Sequence, residues 1–517
     1  MIEKTHQLDR LEMRRMPGSR ARQIHNLGFS REEIEQAAGS SQLLAMEIEL
    51  APACHLRCPH CGAPKRSSSR NELSQAELRD LVLQARDLGV RKITLLGGGS
   101  AVSRDVSEMI RFVGSQDLEL ELFTDAAGIT AGFARQLFEA RVRVVLKVGA
   151  FDTGARDRFT GAEDSFELVF QALRELQEAG YPSEEASLTV AIVIGRHNID
   201  QVLAIWRRFR DREIVPHLEI AAPQASGEDH EWLDVHRGEV QGLLAAIADV
   251  ERNHYGQDWD PQPPLLGNGC MRHKFSCLVR RQGDVLACIG VDIPIGNIRD
   301  QKLHDIIKDS EILEDLRAHS RTIKEPCASC EEADSCYGCR GAAYELTGDY
   351  LAADPLCWRN AERQDEIVHL PFSAAELIPH ERPMRMIDDL VRTGERSGAV
   401  SVTVSAEMPF AGENGIVDEI AYFEMMAQSV AALNGFKHLG RSKSSSEGYL
   451  VGAQNLEILG PARVGDALTV SLYKDVRFGN FAVLKGTVSR GDTILARGEI
   501  KIWHNVGSGA GPAGLEE

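Results

Sequence analysis

The sequence predicts an α/β chain, a parallel sheet with helices outside, followed by a cysteine-rich stretch and then an α+β unit. Three observations carry this. Residues 45–235 alternate short apolar runs with amphipathic stretches six times. All eleven cysteines lie between Cys54 and Cys357. After residue 373 the pattern changes to one strongly apolar helix and a series of alternating strands.

Residues 1–44 read as a polar helical extension ending in REEIEQAAGSSQLL. MEIEL (46–50) is the first strand, and QAELRDLVLQARDLG (75–89) is a helix ended by Gly89. KITLLGGG (92–99) is a strand running into a glycine turn, SEMIRFVGS is helical, and LELELFTD (118–125) is a strand. FARQLFEA, VRVVLKVGAF, SFELVFQALRELQEAG, SLTVAIVIG and IDQVLAIWRRFRDREI continue the alternation to PHLEIAA (216–222), the sixth strand. Such alternation predicts parallel strands, either doubly wound or closed part-way into a barrel. Residues 236–268 hold a helix, VQGLLAAIADVERN, and a Pro/Gly-rich link. The stretch 269–360 reads as cysteine-rich with little regular structure, and 361–372 as a linker. In 373–505 the helix DEIAYFEMMAQSVAALNGF (418–436) precedes GYLVGAQNLEIL, ALTVSLYKDVRFG, NFAVLKGTVSRG and TILARGEIKIW, a long antiparallel sheet with one buried helix. Residues 506–517 read as a disordered tail.

At 517 residues the chain needs two to four domains. Lys plus Arg number 58 and Asp plus Glu 77, a net charge of −19, which argues against general binding to nucleic acid or anionic membrane. There is neither an apolar run long enough to span a bilayer nor the apolar core of a signal peptide, so a cytoplasmic location is expected. In a reducing compartment, clustered cysteines point to metal or catalysis before disulfides.

CHLRCPHC (54–61) places three cysteines as Cys54-x3-Cys58-x2-Cys61, directly after the first strand. Three thiolates on a four-iron cubane leave one iron open to another molecule. Zinc, with His55 or His60 as a fourth ligand, is the alternative that spacing alone allows. The octapeptide resembles the signature of the radical S-adenosylmethionine superfamily. That resemblance implies a [4Fe–4S] cluster whose open iron chelates the amine and carboxylate of S-adenosylmethionine, reductive cleavage to a 5′-deoxyadenosyl radical, and removal of a hydrogen atom from an unactivated carbon. It implies a partial (β/α)6 barrel, and His60 beside the adenine.

LLGGGSAV resembles the family's Gly-Gly-Glu-Pro stretch, with Gly97, Gly98 and Gly99 letting backbone approach the methionyl amine; the usual Glu is Gly here, and the usual Pro is Ser100 or Ala101. LKVGAFDTGARDRFTG resembles the segment that touches the ribose and methionyl carboxylate, placing Lys147 and Arg158. Asp125 is a further ribose candidate.

The later cysteines read Cys270-x6-Cys277-x10-Cys288, then Cys327-x2-Cys330-x5-Cys336-x2-Cys339, then Cys357. Two structural zinc sites are one reading, since CASC and CYGC are zinc-like pairs. The spacing also resembles the SPASM extension of radical S-adenosylmethionine enzymes, down to GCRGAAYELTGDYLAADPLC. This implies two auxiliary [4Fe–4S] clusters, one on Cys270, Cys277, Cys288 and Cys339, the other on Cys327, Cys330, Cys336 and Cys357. A flavodoxin or ferredoxin is the expected electron donor.

ELIPHERPMRMIDDLV (376–391) and FEMMAQSVAAL (423–433) resemble the hot-dog fold of β-hydroxyacyl carrier-protein dehydratases, which implies a homodimer. Their catalysis pairs a loop His with a carboxylate on the helix. Glu424 matches the carboxylate. The loop, MPFAGENGIVDE, has no His; Phe410 stands at the expected offset, with Glu413 and Asn414 near, and His380 belongs to another part of the motif.

The expected function is radical chemistry on an acyl or aminoacyl group held by a carrier protein. Modification of a ribosomally made peptide is the alternative enzyme reading, and a non-catalytic zinc scaffold the alternative from another class.

Overall fold

The structure is a computed structural model. It describes residues 28–50, 71–96, 104–148, 165–220, 235–258, 261, 263, 270–336, 338–437, 439, 448–478, 481–491 and 493–504. The tail 506–517 and most of the N-terminal extension lie outside them.

The first unit is built on β1 (Ala45–Glu49), β2 (Lys92–Leu96), β3 (Glu119–Thr124), β4 (Arg143–Lys147), β5 (Leu188–Ile194) and β6 (Val215–Ile220), all parallel. Their order in the sheet is their order in the chain. Each right-handed crossover therefore steps the same way and lays its helix on the same side. A doubly wound sheet would reverse direction at a switch point; this one curls into part of a barrel. The helices begin as their sequences indicate. Ser74, for example, caps Gln75–Asp87 through a box in which its hydroxyl accepts from the Glu77 amide and Glu77 accepts from the Ser74 amide at 2.7 Å.

Strand alternation gives the sheet two unlike faces. Met46, Ile93 and Leu120 stand in register and are buried under the helices, as are Ile48, Leu95 and Leu122. Glu47, Thr94 and Glu121, also in register, point to the opposite, inner face, where the Thr94 hydroxyl donates to Glu121 Oε1 at 3.2 Å.

The stretch after residue 269 is more regular than its sequence suggests. β7 (Ser276–Val279) adds to β1 in parallel, and β8 (Asp284–Cys288) and β9 (Val291–Asn297) follow antiparallel, making a nine-stranded sheet. These strands are short and carry cysteines and charges, so neither length nor period marks them. Helices Leu303–Asp309, Glu311–Arg317 and Arg340–Thr347 complete the region.

The second unit holds β10 (Phe372–Ser373), β11 (Asp389–Thr393), β12 (Ser397–Thr403), β13 (Gly448–Ile458), β14 (Ala467–Phe478), β15 (Phe481–Arg490) and β16 (Thr493–His504) in the order β10-β11-β12-β14-β15-β16-β13, antiparallel throughout. Helix Ile420–Lys437 lies across the sheet. Its Leu433 and Met426 occupy the space over Gly398 and Gly486, where an added Cβ would come within 2.1 and 2.5 Å of them. Tyr422, fully buried, donates to Gly460 O at 2.9 Å and accepts from Ala462 N at 2.8 Å. Among the described residues no helix is long and apolar enough to cross a membrane.

Candidate functional site

The inner face of the partial barrel is polar and titratable. Glu47 pairs with the Arg272 guanidinium, which follows Cys270 by two residues. Burial raises the Glu47 carboxyl above its ordinary range, and the Glu47 charge holds Arg272 protonated. His217 Nε2 lies 3.4 Å from Glu219 Oε1 at the end of β6. Lys147, exposed at the end of β4, has its Nζ 5.1 Å from the Phe123 ring centroid. The charges of Lys147 and Arg272 both reach Glu219. Sequence reasoning missed Glu47, Glu121, Glu219 and Arg272. The available signal was the alternation of acids in AMEIE and ELELFT, which sets carboxylates on the face away from the helices. Asp125 is buried directly after β3 and spends one oxygen on its own turn, Oδ1 accepting from Ala127 N at 3.1 Å.

Cys54, Cys58, Cys61, His60, Gly97, Gly98, Gly99 and Arg158 lie outside the described residues. What is described is their support. β1, β2 and β4 end immediately before these segments, so the segments issue from the carboxyl ends of the strands, where open α/β sheets gather ligands.

Cys327, Cys330, Cys336 and Cys357 line a single pocket. Donors already point at its sulfurs, with Asn360 Nδ2 to Cys327 Sγ at 3.2 Å and Gly338 N to Cys336 Sγ at 3.4 Å. Burial pushes the Cys357 thiol up to about 12, with the nearby Asp354 charge adding to it, and burial raises Cys336 as well. In such surroundings thiolates form when a cationic metal compensates them. Four sulfurs around one cavity, with donors facing them, fit a four-iron cluster.

Cys288 and Cys339 are brought together by two glycines. Gly290 and Gly341 each follow a cysteine by two residues, and their Cα atoms meet so closely that a Cβ on Gly290 would lie 2.5 Å from Gly341 Cα. Only glycine allows that approach. Ala342 N lies 3.4 Å from Cys339 Sγ, and His273 Nε2 lies 3.3 Å from Cys288 Sγ. The charges of Cys270 and Cys288 act on Cys339, and that of Cys270 acts on Cys288. Cys277 is placed differently. It stands opposite Met46 in the β1–β7 register, on the helix-covered face, and the charges that act on it are those of Glu47 and Arg317. Asp354, fully buried, joins the two cysteine groups, its Oδ2 accepting from Cys339 N at 2.8 Å while its charge raises Cys336 and Cys357.

In the second unit Glu424 is half-buried, and its Oε1 accepts from Gln428 Nε2 at 2.8 Å. Gln428, itself buried, also donates to Met384 O at 2.7 Å and accepts from Met386 N at 2.9 Å. Phe410, which the sequence sets at the offset of the loop His, packs against the apolar core. Asn414 Oδ1 accepts from Ile416 N at 3.0 Å in its own turn.

Residues 48–209 match the Radical SAM superfamily, residues 270–331 an iron–sulfur cluster-binding domain named SPASM, and residues 372–507 the ApeP dehydratase family. A PqqA peptide cyclase of Methylocella silvestris is 30% identical over 334 residues, 60% of this chain and 86% of that protein. An AdoMet-dependent heme synthase of Methanosarcina barkeri is 25% identical over 338 residues, 60% of this chain and 94% of that protein. In fold, the chain resembles SuiB of Streptococcus suis, solved bound to its precursor peptide SuiA, with a TM-score of 0.50 at 16% identity over 69% of this chain and 87% of that one.

Proposed function

The chain belongs to the radical S-adenosylmethionine superfamily, in its SPASM branch, and we propose that it removes a hydrogen atom from an acyl or aminoacyl group carried as a thioester on a carrier protein. Its cofactors are a [4Fe–4S] cluster, S-adenosylmethionine and SPASM iron–sulfur clusters. Bound together, the first two supply a 5′-deoxyadenosyl radical. In this reading Cys54, Cys58 and Cys61 hold the radical cluster. Gly97, Gly98, Gly99, His60, Asp125, Lys147 and Arg158 hold S-adenosylmethionine. The Glu47–Arg272 pair and the His217–Glu219 pair orient the substrate within the barrel and exclude competing water. Cys327, Cys330, Cys336 and Cys357 hold one auxiliary cluster, with Asn360 and Gly338 donating to its sulfurs.

The observation that carries the carrier-protein reading is the fusion itself. A domain matching ApeP dehydratase accompanies the radical core in one chain, and it keeps Glu424 but puts Phe410 where the acid–base partner would stand. The domain then serves to hold the acyl chain or to pair two copies, and not to dehydrate. Pairing uses the outer edge of β13, where Tyr449, Leu450 and Val451 are exposed.

A second reading, modification of a peptide, is favoured by the relatives named PqqA peptide cyclase and by the fold likeness to SuiB. One experiment separates the two. The protein is reconstituted anaerobically with iron, sulfide, S-adenosylmethionine and a reductant, then offered deuterated carrier-bound thioesters and deuterated peptides. Deuterium in 5′-deoxyadenosine from the thioester alone supports the first reading; deuterium from the peptide alone replaces it with the second.

A further inference from the structure

A hydrogen atom taken from a substrate leaves a carbon radical, which becomes a closed-shell product by giving up one electron and one proton. Iron–sulfur clusters can take the electron; the proton needs a base inside the barrel. Register defines what the inner face offers. Glu47, Thr94 and Glu121 lie in one row, and parity carries the same face through Phe123, Val145 and Thr189 to His217 and Glu219. Lys92 on β2 and Lys147 on β4 share it. Glu219 is a poor acceptor. Burial works to raise it, but the His217 bond and charge, with the charges of Lys147 and Arg272, hold it down at about 2. Glu47 stands apart through its link to the first cysteine group, which includes Cys270, Cys288 and Cys339. It pairs with the Arg272 guanidinium, and the Arg272 main-chain amide donates to the Cys270 sulfur, so one residue ties the carboxylate to the group. The Glu47 charge is felt at Cys270 and at Cys288. Negative charge arriving there raises the proton affinity of Glu47 in turn. Burial already raises that carboxyl, and while Arg272 works against it, the charges of Glu121 and Glu219 add to it.

We propose that Glu47 is the base of the reaction. It takes the proton from the bond next to the radical carbon as the electron passes to an oxidised iron–sulfur cluster at the first cysteine group. The substrate leaves with two hydrogens fewer, one given as an atom to the 5′-deoxyadenosyl radical and one given as this proton, so the overall change is an oxidation. Arg272 is a positioning residue that holds the carboxylate ionised and aimed until the electron moves. The other charges that act on the pair are those of Cys270, Glu121 on β3 and Glu219 on β6. This deepens the reading of the chain as a SPASM radical enzyme and rests on the first cysteine group loading a cluster.

The first test needs no substrate. It uses the full-length chain with Cys54, Cys58 and Cys61 replaced by Ala, so that only auxiliary clusters load. After anaerobic reconstitution and iron analysis, infrared difference spectra are taken between the oxidised and reduced protein. Reduction should bring up the carbonyl band of a protonated carboxyl. The band should be missing from Glu47→Gln and return, shifted, in Glu47→Asp. A parent protein with iron but without this band, or a Glu47→Gln protein that keeps it, would overturn the proposal alone. A parent protein without auxiliary iron would refute the domain reading and the proposal with it. If Glu47→Gln fails to hold iron, the shift of the band in Glu47→Asp decides. The second test keeps the radical loop and uses whichever deuterated thioester or peptide passes deuterium to 5′-deoxyadenosine. In Glu47→Gln the oxidised product formed per deuterium transferred should fall about a hundredfold, with a substrate radical accumulating in paramagnetic resonance, and Glu47→Asp should recover part of it. Product formed in the parent's ratio would overturn the proposal.

Discussion

The two cysteine groups sit within the same 90-residue stretch, yet they are built by different means. The second is a local knot. Four cysteines, three of them within ten residues, line one pocket; Gly338 donates to Cys336 two residues away, and Asn360, three residues after Cys357, donates to Cys327. The first is assembled at long range by a sheet register and by one backbone contact between Gly290 and Gly341. A site made of neighbouring residues tolerates small movements of its surroundings. A site that depends on register changes which side chains it owns when a strand slips by one.

The largest effect that would sharpen this contrast is expected from Cys330→Ala. It should remove the second auxiliary cluster, about four irons, and lower the melting temperature measured anaerobically, because that region has little apolar core of its own. An unchanged iron content would mean the pocket does not hold a cluster. Next comes Gly341→Val. Its Cβ would meet Gly290 Cα at 2.8 Å, so the two turns must part. The first cluster should be lost while the signal of the second persists; loss of both would show the groups to be one unit. A smaller effect is expected from Asn360→Leu, which removes the 3.2 Å bond to Cys327 Sγ. Donors to sulfur favour the reduced cluster, so the second cluster's reduction potential should fall in a redox titration followed by paramagnetic resonance. The smallest is Arg317→Met, beside Cys277. Iron content and both auxiliary signals should be unchanged; a shifted signal would place a cluster on the outer face and break the comparison.

Much of this architecture can be read from residue patterns. β1 to β6 are visible because buried parallel strands are apolar runs between amphipathic helices, and the three-cysteine loop is visible because its spacing is rare. The choice between a doubly wound sheet and a barrel is not, since strand order depends on which neighbour each crossover selects. The parity of Cys277 is hidden for a related reason. Its face is defined only relative to Met46, more than 200 residues earlier. Phe410 shows in the sequence as a missing His. The role of Gln428 shows only as a polar residue one turn beyond Glu424 on an otherwise apolar helix, a signal that needs Met384 and Met386 beside it to be understood.

β1 is flanked by β2 on one side and β7 on the other, and it runs directly into the segment that carries Cys54. One five-residue strand is thus the common footing of the radical loop and of the hairpin that presents Cys288. Electron transfer falls steeply with separation, and a shared beam sets that separation once, at folding. Strain introduced at the hairpin should therefore be felt at the loop as a change in rate, even where every ligand is intact.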